Sequence, residues 1–103
     1  MTMRNNKFDM INERVLPALN SLVPSILPQG RQRGHLWVAL NPTRPDRTLG
    51  SFKTNLRTGQ WIDHATGDKG GDVISLAAYV YGMTQGNAAD YIAGIMGVAI
   101  NDN

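Results

Sequence analysis

The chain reads as an α+β domain in which an N-terminal helix precedes a three-stranded antiparallel sheet and two C-terminal helices. Three observations predict this. The apolar residues Phe8, Ile11, Val15, Leu16, Leu19, Leu22 and Val23 recur at the helical period. Between His35 and His64 the pattern changes to short alternating runs separated by loops rich in proline and glycine, as strands require. From Trp61 to Leu76 a strand end, a glycine-rich elbow and an amphipathic helix follow one another directly.

The first helix is predicted over residues 8–23. Pro17 lies inside its pattern and, lacking an N–H, either kinks the helix or splits it into two short ones, the second beginning near Pro17 as its first residue. Pro24 and Pro28 end it, and its stripe faces either the core or a partner. Gly30 to Gly34 is a basic connector. His35 to Leu40 forms a strand with Leu36, Val38 and Leu40 on one face and His35, Trp37 and Ala39 on the other. Asn41 to Thr48 is a loop. Leu49 to Leu56 and Gln60 to His64 are the other two strands, so the sheet occupies residues 35–64, and Gly59 in the connecting turn suits a positive φ.

At the elbow, Gly67, Gly70 and Gly71 supply the backbone freedom for a tight reversal, with a positive φ expected at Gly71. Asp72 stands where its carboxylate can accept the free amide hydrogens of the next helix. Val73, Leu76, Ala77 and Val80 form that helix's stripe and Gly82 its C-cap. Thr84 caps a last helix with Ala88, Ile92 and Ile95 on its apolar face, ended by Gly97, so the two helices span residues 72–97.

A length of 103 residues suits one domain, 1–103, with one modest core. The net charge of +2 conceals an asymmetry: residues 31–57 carry a balance of +5 and residues 58–103 a balance of −4. Such segregation points to a polyanionic partner on one face. With no cysteine, the fold relies on neither disulfides nor thiolate metal sites. No signal-like or membrane-spanning apolar run occurs, so a cytoplasmic location with no membrane partner is expected.

The residues singled out for binding are Arg31, Arg33, Arg44, Arg47, Lys53 and Arg57, with Trp37 beside them. Guanidinium forks suit phosphate and aromatic faces suit stacked bases, the combination that holds a single strand. Trp61 is assigned to the core and Trp37 to an exposed position. Asp63, His64, Asp68 and Asp72 superficially suggest a metal or acid–base site, but their spacing matches no calcium loop, and local capping explains Asp68 and Asp72. The elbow lacks the Gly-Lys-Ser/Thr ending of a P-loop, so no small-molecule ligand or cofactor is expected. No nucleophile sits in a catalytic motif, and no catalytic residue is assigned.

The run Gly70-Gly71-Asp72-Val73-Ile74-Ser75-Leu76, followed by Tyr81-Gly82-Met83-Thr84 and the pattern from Ala88 to Ile92, resembles the end of the N-terminal zinc-ribbon domain of bacterial and phage DNA primases. Ser51-Phe52 with Gln60-Trp61 is similar to that family's central hairpin. Leu27-Pro28-Gln29-Gly30, leading into Arg31 to Trp37, resembles the front of phage and plasmid primase-helicase proteins. The resemblance covers residues 26–97 and departs from the family at the metal. Where the ligand pairs would fall, the chain reads Asn41-Pro42-Thr43-Arg44 and His64-Ala65-Thr66-Gly67, and four nitrogen or sulfur ligands cannot be assembled. The resemblance therefore implies a metal-free ribbon that recognises single-stranded DNA template, either as the front of a longer primase-helicase or free-standing. Helicase or primase catalytic domains are its implied partners. The alternative is a docking module of a replication complex, using the N-terminal helix or the acidic C-terminal face.

Overall fold

The computed structural model describes residues 6–99. Helix α1 (Lys7–Val15) starts at Asn6, whose side chain accepts the Asp9 N–H, and its buried residues are Ile11 and Val15. A 3-10 turn, Leu16–Ala18, follows with Pro17 in its first positions, and α2 (Leu19–Ile26) continues the helical path. Pro17 therefore breaks the run as its chemistry demands, but the second α-helix begins at Leu19. Pro24 does not end α2, contrary to the sequence expectation. Only a few residues follow it, and Ile26 and Leu27 are buried in the core, which offsets the one missing hydrogen bond.

The sheet has five strands rather than three: β1 (Gly30–Arg33), β2 (Leu36–Ala39), β3 (Phe52–Asn55), β4 (Trp61–Asp63) and β5 (Lys69–Gly70), an antiparallel meander in chain order. The expected connector at residues 30–34 is the edge strand β1, and the elbow contains β5. Neither has an apolar pattern of its own. Each is a strand because its neighbour pairs with it, Arg31 opposite Val38 and Ile62 opposite Lys69. Residues 49–51 lie outside β3.

Alternation along the paired strands separates two faces. Trp37, Thr54 and Trp61 lie in one cross-strand row and Ala39, Phe52 and Asp63 in the next, all on the face that the helices cover. Phe52 is wholly buried and meets Trp61 and Tyr79 edge-on, and Trp61 lies 4.6 Å from the Tyr79 ring. Burial of a side chain like Phe52 contributes about 1.5–3 kcal/mol. The Trp61 indole donates to Ser75 Oγ at 2.9 Å, which ties the sheet to α3 (Val73–Tyr81). Helix α3 packs on α4 (Gln85–Met96), and α1 packs on both.

Asp72 is the predicted cap. Its side chain accepts the Ser75 N–H while Ser75 Oγ stands 3.4 Å from the Asp72 N–H, a reciprocal box, and Asn12 of α1 donates to its other oxygen at 2.9 Å. Gly82 and Gly97 end the two helices in left-handed conformation, and Thr84 caps α4, as the sequence indicates. Among the described residues no helix is long and apolar enough to cross a membrane.

Candidate nucleic-acid interface

Among the described residues, the second face of the sheet carries no helix. Its central row runs Arg31, Val38, Lys53, Ile62, Lys69 across all five strands, so that cations and aliphatic side chains alternate. Strands lie about 4.8 Å apart, so Arg31, Lys53 and Lys69, each two strands from the next, form a track about 19 Å long. The next row begins Arg33, Leu36, Asn55. The only acidic residue within a strand, Asp63, points to the opposite face, and Arg31, Arg33, Lys53 and Lys69 form no ion pair among the described residues. Val38 is only 2% exposed despite standing on the open face, consistent with cover from the hydrocarbon stems of its row neighbours Arg31 and Lys53.

Half of the six predicted cations thus share one face: Arg31, Arg33 and Lys53. Arg57 is exposed in the β3–β4 turn and Arg47 is exposed in the β2–β3 loop, away from the row. Lys69 belongs to the site and was missed by sequence reasoning, because a two-residue strand leaves no alternation to read. Trp37 is not an exposed stacking platform. It sits half-buried on the helix-covered face and its indole donates to the Leu27 carbonyl at 2.9 Å, so it anchors the end of α2.

Arg44 is also committed elsewhere. Its Nε and Nη2 donate to the two oxygens of Asp63 at 2.8 and 3.2 Å, and Nη2 also donates to Ser51 Oγ at 2.9 Å. Asp63 is fully buried and accepts further bonds from Asn41 Nδ2 at 2.8 Å and the Ala65 N–H at 2.9 Å. Burial alone would raise the Asp63 pKa. The hydrogen bond from Arg44, then those from Asn41 and Ala65, outweigh it and hold the carboxyl well below the usual carboxylate range. The same hydrogen bond raises the Arg44 pKa above its ordinary value. Asn41 also donates to Tyr79 Oη at 2.8 Å, and that hydroxyl donates to Asp68 at 2.8 Å. This network clamps the loop after β2 to the turn after β4.

Asp63, His64, Asp68 and Asp72 do not converge on one point. Asp63 is in the ion pair, Asp68 accepts from Tyr79, Asp72 caps α3, and His64 is exposed. Among the described residues no group of three or more histidines and acids could hold a metal ion.

The three elbow glycines serve different ends. Gly67 has φ +84°, which demands glycine. A Cβ on Gly70 would strike the Trp61 indole and Ser75 Oγ, so close packing demands it there. Gly71 has neither a positive φ nor a neighbour within 4 Å of a Cβ, contrary to the expectation of left-handed backbone. No known protein family, curated protein or solved structure matches the chain.

Proposed function

We propose that this domain binds single-stranded DNA, without catalysis, across the open face of its sheet, in the role that the resemblance to primase zinc ribbons implies. The observation that carries the reading is the row Arg31, Lys53, Lys69, three cations that among the described residues have no ion-pair partner, on a face where those residues place no strand acid and no helix. A polyanion neutralises such a row and releases its counterions. With every strand aromatic turned to the covered face, affinity rests on phosphate contacts and on the aliphatic Leu36 and Ile62 rather than on aromatic stacking. In a ribbon-like reading, the clamp of Asn41, Arg44 and Asp63 stands where the two ligand loops would share a metal, and does the cross-linking that the metal would do.

Fluorescence anisotropy with a labelled single strand at two salt concentrations tests this. Binding should be micromolar or weaker and fall with salt at a slope of roughly −0.7 per phosphate contact. Joint replacement of Arg31, Lys53 and Lys69 by alanine should lower both affinity and slope, whereas Arg47→Ala should change neither appreciably. Binding that persists with an unchanged slope in the triple variant would sink the assignment of the face.

The docking alternative has one observation in its favour. Tyr81 and Tyr91 are 40% and 37% exposed, edge-to-face at 5.3 Å, with Ile95 exposed on the same helix as Tyr91. The N-terminal helix offers less, since Ile11, Val15, Leu19, Leu22 and Val23 are all in the core.

A further inference from the structure

The open face holds a hollow of about 640 Å³, within the range of small-ligand clefts, roughly 300–1,000 Å³. The strand register explains its outline. Lys53, Ile62 and Lys69 border it in one row, Leu36, Asn55 and Gln60 in the next. The second row reaches Gly71, where the side chains stop. Gly71 lines the hollow, and a Cβ there would meet nothing within 4 Å. Neither backbone conformation nor internal packing requires a glycine at that position, so the chain keeps open a space that none of its described residues uses.

The polar groups around this space are arranged for a ligand. Gln60 is exposed and, among the described residues, is hydrogen-bonded only through its main chain. Asn55 Oδ1 accepts the Arg57 and Thr58 N–H groups at 2.8 and 3.3 Å, which fixes the side chain and leaves its amide hydrogens free to donate. A carboxamide offers a donor and an acceptor side by side, the complement of the adenine amino group and its neighbouring ring nitrogen. On a single strand the Watson–Crick edge is free as well, and there every base sets a donor beside an acceptor, so the carboxamide suits a base of any kind.

We infer that the hollow is a subsite for one base of the bound strand. The inference rests on the strand-binding reading above. Leu36 and Ile62 form an apolar floor, Gln60 and Asn55 meet the base edge, and Lys53 and Lys69 reach the flanking phosphates as point charges. Gly71 lets the flat ring lie close to the backbone.

The test uses the full chain and labelled abasic single strands of equal length, each carrying one central adenine, guanine, thymine, cytosine or no base, so that the phosphate contribution is constant. A strand carrying any one base should bind about 10-fold tighter than the baseless one, in the range of a good amide–base pairing. Gln60→Ala and Gly71→Ala should each bring the base-bearing strands towards the baseless level and leave the salt slope unchanged, since neither removes a cation. Both changes avoid packed positions, so both proteins should fold, and circular-dichroism melts verify it. Equal affinity for all five strands overturns the inference while leaving backbone binding intact. A gain from the base that survives both variants overturns it as well. Absence of binding to every strand at low salt overturns this inference and the strand-binding reading together.

Discussion

On the covered face of the sheet Asp63 is met by Arg44, Asn41 and a backbone N–H, whereas on the open face Arg31, Lys53 and Lys69 meet no carboxylate among the described residues. Two arginines thirteen positions apart, Arg31 and Arg44, are therefore not equivalent. Arg44 has its donors engaged inside the molecule and stabilises a fold. Arg31 has no such partner and is available to an external anion. Charge counted along the sequence merges these two roles, and only the face on which a side chain stands separates them.

The largest way to break this contrast is to remove the buried acid. Asp63→Ala leaves the Arg44 fork, Asn41 and the Ala65 N–H without their acceptor, and should lower unfolding free energy by about 3 kcal/mol, at the lower end for a broken buried pair. Urea melts measure it, and a loss well under 1 kcal/mol would show that the clamp is incidental.

A smaller effect is the acid limb of stability. Because the folded carboxyl titrates below its unfolded value, the pair's contribution is fully present above about pH 4, the ordinary aspartate range, and is lost as pH falls towards the folded pKa. Melting temperature between pH 2.5 and 6 should therefore drop at the acid end, and Asp63→Asn should flatten that drop. An identical acid limb in both proteins would assign it to other groups.

The smallest effect sharpens the contrast from the other side. Thr54 Oγ1 is a buried hydroxyl on the covered face without a hydrogen-bond partner among the described residues. Thr54→Val keeps the shape and removes the unsatisfied group, so stability should rise by about 1 kcal/mol. A fall of that size would reveal a partner for the hydroxyl.

The sequence was legible where structure is decided locally. Asp72, Gly82, Thr84 and Gly97 carry out capping within a turn or so, and each holds its predicted place. The turn glycine Gly59 has φ +84° for the same reason. Strand β1 was not legible, because Gly-Arg-Gln-Arg contains no apolar residue and becomes a strand only through β2. The Arg44–Asp63 pair joins residues 19 positions apart. No local pattern announces it, so Arg44 was grouped with the solvent-facing cations. Trp37 was misplaced for a similar reason: alternation assigns it a face but cannot say which face the helices cover.

The meander order of the sheet has a kinetic consequence. Every strand pairs with its neighbour in sequence, and the longest connection, from Ala39 to Phe52, is a single loop. Loop-closure entropy grows with the span that must be brought together, and chains rich in local contacts fold fast. The five strands can therefore zip in succession as hairpins, each using a contact already within reach. Helix α1 is the exception, because it packs on α4 at the other end of the described chain and exchanges the Lys7–Asp90 ion pair with it at 3.0 Å. During synthesis α1 emerges well before α4, which supplies the larger part of the surface on which it settles.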